Sequence, residues 1–196
     1  RLIALGQFSD AYIVNRESNV FPGILGRVCD RPCEPACRRG RVEENNDSGP
    51  EPTPPEPVAI CRLKRVAADH KGEVSRHMPK PEARNGKRVA CIGAGPASLT
   101  VANDLLPLGY EVVIFEGLEV PGGLMRSNIP SFRLPADVLD REIGDIVEMG
   151  ADLRLGHRIE SMRKLLNDGF DAIFVGTGAP HGKELKLPGR DDDPAH

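Results

Sequence analysis

Tryptophan is absent from these 196 residues, and two tyrosines with six phenylalanines hold aromatics to 4% of the chain. With a formal net charge of -3 at pH 7, the sequence lacks the basic, aromatic-interleaved surface on which nucleic acids are bound. It has no apolar run near the roughly 20 residues that a membrane-spanning helix needs. Nor is there a charged segment leading into an apolar one, as in a secretory leader. These absences set the expectation of a cytoplasmic protein with no nucleic-acid partner and no membrane insertion, in which five cysteines are not read as disulfides. An initiating methionine is missing too. The chain opens at Arg1 and closes on "GRDDDPAH" without an evident final element, so it reads as a piece of something longer. What is present, 39% hydrophobic residues, suffices for one packed domain and an appendage.

The N-terminal third reads as helical and loop-rich, too thin to stand alone. "LIALGQF" is apolar at helical spacing, and Ser9 is placed to cap "DAYIVNRES", with Ala11, Tyr12 and Val14 on or near one face. "GRVCDRPCEPACRRG" follows as an irregular loop, because Pro32 and Pro35 would break a helix. Residues 43 to 57, rich in proline and acid, read as an exposed extended insertion. A helix over Val58 to His70 precedes a polar linker, 71 to 86. From 87 to 196 the texture is α/β. The strand "KRVACIGAG", the helix "PASLTVANDLLPLG" and the strand "YEVVIFEG" form a β-α-β unit. After a glycine- and proline-punctuated loop come a helix at Ala136 to Met149, a strand at Asp152 to Leu155, a short helix at Ser161 to Asn167 and a buried strand, "DAIFVGTG". This alternation predicts a doubly wound parallel sheet of Rossmann type.

Gly93, Gly95 and Ser98 give G-x-G-x-x-S, where the dinucleotide fingerprint asks for a third Gly or Ala. The motif alone is weak, and its context strengthens it. It follows a strand, opens a helix at Pro96, and Glu116 ends the next strand 23 positions after Gly93, where a carboxylate can grip a ribose hydroxyl. The first glycine allows the turn, the second lets backbone approach a pyrophosphate, and the helix start offers free N–H groups. A glycine-rich turn that binds nothing is the plainer reading.

Cys29, Cys33 and Cys37 stand at an even spacing of three intervening residues. Buried inert thiols find little core in a stretch so rich in proline and arginine. Zinc prefers C-x2-C pairs and would find only Cys61 or His70 as a further ligand nearby. An Fe–S cluster suits thiolates on irregular loops, and Arg38, Arg39 and Arg41 would offset its negative charge. Cys91, inside the first strand, reads as a small core residue, and His157 and His181 as loop residues rather than acids or bases.

Taken together, "GAGPASL", "FEGLEVPGGLMRSNIPSFRLP", "FDAIFVGTGA" and "GRVCDRPCEPACRRG" with "PVAICRLKR" resemble the glutamate synthase small-subunit family, which includes the N-terminal part of dihydropyrimidine dehydrogenase. The likeness covers nearly the whole chain. It implies FAD, with the pyrophosphate at Gly93, Ala94, Gly95, Pro96 and Ala97 and the adenosine ribose at Glu116. It implies that Gly122, Gly123, Leu124 and Arg133 lie along the flavin, Ile159 near the adenine, and Thr177 and Gly178 at the closing strand end. Arg133 as an ordinary surface arginine is the alternative. It also implies that the thiol loop contributes ligands to two [4Fe-4S] clusters. In relatives four upstream cysteines complete them, and a Glu or Gln on the following helix can be a ligand where this chain has Lys64. Cys61, one turn earlier, either replaces it or is core. An NAD(P)H domain follows "LPG" in the family, whereas only Leu187 to His196 follow here.

The resulting expectation is an FAD- and Fe–S-dependent NAD(P)H oxidoreductase, an electron-transfer subunit passing electrons between nicotinamide, flavin and clusters to partner subunits. The flavin performs the chemistry, so no side chain is assigned as catalytic. An NAD-linked dehydrogenase with a zinc lobe and a non-enzymatic assembly subunit with degenerate cofactor sites are the alternatives.

Overall fold

The structure, a computed structural model, describes residues 1–42, 56–74, 77–80, 83–179 and 182. Most of the expected insertion, His181 and the segment after "LPG" lie outside the described residues.

The order of the helical arm follows from local breakers. A 3-10 turn at Ile3–Leu5 closes on Gly6, whose φ of +74° suits a residue without Cβ. α1 (Phe8–Arg16) then starts from Gln7. Ser9 therefore lies inside the first turn and not at the expected cap, and its Oγ accepts the Gly72 N–H at 3.0 Å instead. Tyr12 is fully buried and Ala11 half-buried, but Val14 points outward. Pro22 opens α2 (Pro22–Val28), a helix the sequence reading did not foresee. A run of turns from Pro32 to Ala36 separates it from α3 (Arg39–Val42), so the thiol stretch is a loop as expected. α4 (Ile60–His70) completes the arm. Tyr12, Ala67, Ala68 and Val74 make its small core.

The rest is a four-stranded, wholly parallel sheet in the order β3-β2-β1-β4. β1 (Arg88–Ile92) pairs with β2 (Glu111–Phe115), with Cys91 opposite Ile114, and with β4 (Ala172–Val175), with Cys91 opposite Phe174. β3 (Asp152–Arg154) forms the far edge. The strand expected to be buried, β4, is instead the other edge, and Val175 is exposed. Parallel strands need crossovers. These are α5 (Pro96–Leu105), α6 (Leu124–Ser127) with α7 (Ala136–Glu148), and α8 (Met162–Asn167), which Ser161 caps through its Oγ. Alternate strand residues divide between two cores. Val89, Cys91, Val112 and Ile114 pack with α5 and α7, while Ala90, Val113 and Phe115 pack with Leu165 of α8 and with Phe170.

The arm is not free-standing. Phe21 and Ile24 enter the larger core beside Leu139 and Ile143 of α7. Glu142 of α7, 3% exposed, reaches into the arm, where Oε1 accepts the Gly23 N–H at 2.7 Å and Oε2 the Ile24 N–H at 3.0 Å. Around it, Tyr12 donates to Glu142 and Asp145, and Arg16 pairs with Asp145 at 3.3 Å and donates to Asn103. Burial pushes the Glu142 carboxyl above its ordinary value, against the pull of the two amides and Arg16.

Within the arm, α2 crosses α4 at Gly26. A Cβ there would lie 2.8 Å from the Arg65 backbone nitrogen and 2.9 Å from its Cα. Arg27 of α2 reaches Asp69 of α4 at 2.5 Å, and Arg65 reaches the same carboxylate at 3.3 Å. Burial works to raise the Asp69 carboxyl, but the two guanidiniums outweigh it and hold it below its ordinary value. Gly26→Ala is expected to force the helices apart and cost about 1–3 kcal/mol in denaturant unfolding. Because Asp69 is depressed in the folded state, its contribution is complete above the usual carboxylate range. It is lost as pH falls through the lowered value. Asp69→Asn should therefore flatten the acid limb of the stability profile, and an unchanged limb would contradict the clamp.

Candidate functional site

At the carboxyl end of β1 the chain turns through Gly93, whose φ is +95°. A Cβ on Gly93 would lie 2.6 Å from the Gly176 carbonyl oxygen, so only glycine fits both the angle and the gap. Gly95 is the N-cap of α5 and Pro96 its first residue, a position where the missing N–H costs nothing. The first-turn amides beyond it, those of Ala97 and Ser98, have no intrahelical acceptor. They face the crevice together with the positive end of the helix.

Glu116 sits one residue past β2 and is 9% exposed. Its Oε2 accepts the Ala94 N–H at 2.7 Å and its Oε1 the Leu118 N–H at 3.0 Å, so the carboxylate props the glycine loop from the side. Each oxygen keeps a second lone pair for a hydroxyl donor. The paired-glycine turn closes on the same place. Gly122 donates its N–H to the Ala94 carbonyl at 2.9 Å, and a Cβ on Gly123 would meet Gly95 Cα at 3.0 Å. Thr177 follows β4 beside Gly93, and Gly178 has φ +68° with open space around it. Thus Gly93, Ala94, Gly95, Glu116, Gly122, Gly123 and Thr177 are brought together from three separate parts of the chain. This amide-lined cradle, with no Cβ at its closest approaches, Gly93 and Gly123, fits a diphosphate and a ribose.

Other expected residues lie at or beyond its margin. Pro96 and Ala97 are exposed on the first turn of α5, and Leu124 is exposed at the start of α6. Arg133 is exposed and donates to the Val28 carbonyl at 3.5 Å, at the end of α2. Ile159 packs against the second core and lines a different cavity, of about 470 Å³, with Phe115, Arg154, Arg158 and Lys164. His157 is a loop residue whose ring Nδ1 bonds the Leu155 carbonyl, while its backbone N–H holds the Glu116 carbonyl at 2.7 Å.

One feature of the cradle escaped the sequence reading, and the serine at the third fingerprint position has a consequence there. Gly176, in "VGTG", leaves room for both Gly93 and Ser98, since a Cβ there would lie 2.2 Å from Ser98 Oγ. Ser98, at the third fingerprint position, is fully buried, and among the described residues its hydroxyl finds no partner.

The thiols are arranged differently. Cys29 caps the C-terminal end of α2, and its Sγ accepts the Arg31 N–H at 3.4 Å, a bend made possible by φ +63° at Arg31. Cys61 is buried on α4, and its backbone N–H donates to Glu34 at 3.1 Å. Burial raises the Cys61 thiol, and contact with Cys29 and the nearby Glu34 add to the rise against Lys64. Cys37 is lowered, because backbone N–H groups of Val58, Arg39 and Gly40 point at its sulfur. Cys33 is exposed. The structure therefore brings Cys29 and Cys61 together and leaves Cys33 and Cys37 farther along the loop. Among the described residues no three His, Cys, Asp or Glu side chains converge to hold one metal ion. Thiolates on an irregular loop receiving N–H donors fit Fe–S chemistry as donors singly or in pairs, not as a closed cage. Cys91 is fully buried in β1, its thiol pushed up to about 11 by burial.

Comparison with known proteins places both parts. Residues 1–76 match the family model described as dihydropyrimidine dehydrogenase domain II, 4Fe-4S cluster, and residues 91–160 the one described as NAD(P)-binding Rossmann-like domain. The chain is 35% identical over 212 residues to the NADP(+)-dependent formate dehydrogenase subunit beta of Moorella thermoacetica, covering 95% of this chain and 28% of that protein. It is 35% identical over 189 residues to the NAD-dependent dihydropyrimidine dehydrogenase subunit PreT homolog of Salmonella typhi, covering 95% and 43%. It is 34% identical over 199 residues to the glutamate synthase [NADPH] small chain of Mycobacterium tuberculosis, covering 100% and 38%. The chain thus spans less than half the length of these relatives. The resemblance read from the motifs is borne out, as is the parallel α/β fold behind a segment of Fe–S type. No helix among the described residues is long and apolar enough to cross a membrane.

Replacing Ser98 with Ala removes the orphaned hydroxyl while keeping Cβ and helix propensity. It should stabilise the protein by about 1–3 kcal/mol, the cost of an unsatisfied buried donor. A lower unfolding midpoint in Ser98→Ala would show that the hydroxyl is bonded after all.

Proposed function

The chain is a homologue of the glutamate synthase small-subunit family, and on that premise we propose that it is the FAD- and Fe–S-binding portion of an NAD(P)H oxidoreductase. It serves as an electron-transfer subunit in the cytoplasm, beside a partner oxidoreductase subunit. Its units are a helical Fe–S-binding arm (1–70), a linker (71–86) and an FAD-binding domain (87–196). The observation that carries this reading is the cradle in which Gly93 packs on Gly176 and Gly123 on Gly95 with no room for a Cβ on Gly93 or Gly123, closed by Glu116.

The roles of the residues follow from that geometry. The α5 amides and the loop Gly93 to Ala97 hold the diphosphate, and the free lone pairs of Glu116 accept the adenosine ribose hydroxyls. Gly122, Gly123 and Leu124 present backbone to the ring system, with Arg133, Thr177 and Gly178 around it and Ile159 toward the adenine. FAD, when bound, would supply the conversion of a hydride into two single electrons and a proton, chemistry that no side chain here provides. The side chains contribute orientation and field, and none serves as a nucleophile or general base.

Cys29, Cys33, Cys37 and Cys61 are the ligands this chain offers to [4Fe-4S] clusters. The contact between Cys29 and Cys61 favours Cys61 as a ligand over Cys61 as plain core. Arg38, Arg39 and Arg41 supply positive charge beside them. The nicotinamide dinucleotide is assigned to a further domain of the whole protein, by analogy with the family.

The test is an anaerobic visible spectrum of the intact protein with flavin, iron, sulfide and zinc analysis. Flavin bands over a broad iron–sulfide shoulder are expected. A colourless protein with one zinc would favour a zinc-lobed dehydrogenase, and a protein with neither flavin nor metal a docking subunit. Glu116→Ala is expected to lower FAD retention about tenfold or more, through loss of hydrogen bonds to a charged group. Undiminished flavin content would remove Glu116 from the site.

A further inference from the structure

One helix touches both halves of the proposed electron path. On α7, Leu139 packs against the paired-glycine turn, and a Cβ on Gly122 would lie 3.0 Å from Leu139 Cδ2. Three residues on, on the same face of α7, Glu142 leaves the sheet domain and caps α2 through the Gly23 and Ile24 amides. α2 carries Cys29 as its C-terminal cap. Its far end is held from the same domain, where Arg133 donates to the Val28 carbonyl. An anion at the start of the helix and a cation at its end both oppose the helix dipole in the stabilising sense.

Space on the arm side is matched to this contact. A Cβ on Gly23 would stand 3.0 Å from Glu142 Oε1 and 3.3 Å from Ala68 Cβ. Ionisable groups surround the carboxylate from every neighbouring element, Tyr12 and Arg16 on α1, Lys71 after α4, and Asp145 on α7. Tyr12 donates to Glu142, and the two cations neutralise Asp145. Glu142 thereby has the Tyr12 hydroxyl and the two amides of α2 as its donors. In α7 the buried positions are Val138, Leu139, Glu142, Ile143 and Ile146, so a carboxylate occupies a place in an apolar stripe.

We propose that Glu142 is a positioning residue for the thiol loop, fixing α2 and its terminal Cys29 against the same helix that backs the glycine cradle. This rests on the functional reading above for what Cys29 ligates, though not for the contact itself. Removing the cap loosens the start of α2 and, through it, the seat of Cys29 beside Cys61, without disturbing the glycine loop, which Glu142 does not touch.

The test uses the intact protein with Glu142→Gln and, from the opposite side of the contact, Gly23→Ala. Native-state hydrogen exchange is read at the Gly23 and Ile24 amides, together with flavin content and the rate of iron loss to a chelator. In Glu142→Gln both amides are expected to exchange about ten- to a hundredfold faster, as follows from losing hydrogen bonds to a charged acceptor. Iron loss should accelerate while flavin content stays at the wild-type level, and Gly23→Ala should move the same readouts in the same direction. Wild-type exchange rates in both variants, or faster exchange with unchanged iron loss, would overturn the proposal. If the wild-type protein holds no iron, the functional reading fails separately. Alkylation of Cys29 by iodoacetamide then replaces iron loss, and an unchanged rate in Glu142→Gln again overturns the positioning role.

Discussion

Backbone must approach backbone at one point for this architecture to exist, where the ends of β1 and β4, the first turn of α5 and the Gly122–Gly123 turn converge. Gly93, Gly123 and Gly176 are needed there, because a single Cβ would fall at or inside 3.0 Å of a neighbouring backbone or hydroxyl at each of them. The closeness that excludes side chains also concentrates amides with no intrahelical partner at the mouth of α5. Packing and ligand affinity are therefore two results of one constraint. Glu116 extends it sideways by tying Ala94 to Leu118.

The helical arm obeys a second constraint, burial of charge. Glu142, Asp145, Arg16 and Tyr12 form a polar seam between arm and sheet domain, sealed below by Phe21 and Ile24 in the shared core. Such seams add specificity more than stability, because the desolvation of each charge offsets much of the attraction. A purely apolar contact would let the arm slide, whereas paired carboxylate–amide bonds admit one register.

Much of this was legible in the sequence. α7 and α8 were read to within a residue, and the β-α-β unit in its order, since β-branched runs, glycine stops and an apolar stripe at helical spacing all agree there. α5 nevertheless ends at Leu105, and a 3-10 turn carries the chain on to the Gly109 stop. α2 was not read. It has seven residues beginning Pro-Gly, and its helicity comes from the Glu142 cap and from Ile24 in the core rather than from local preference. Ser9 misled because it had the right chemistry two residues too late, after Gly6 and Gln7 had already set the helix start. β4 was expected inside the sheet because "AIFV" is apolar throughout. Composition does not reveal strand order. Of the site, the glycine loop and Glu116 were legible from motif and spacing, but Gly176 and Glu142 act through distant contacts that no local pattern encodes.

Strand β4 borders the sheet with Val175 uncovered and, among the described residues, no neighbour on its outer side. An apolar border strand with unused donors and acceptors is a template for any extended peptide, including another copy of itself. Colloidal behaviour of the isolated polypeptide would then be governed by this rim rather than by its cofactors, and shielding it would matter more for handling the protein than strengthening its interior.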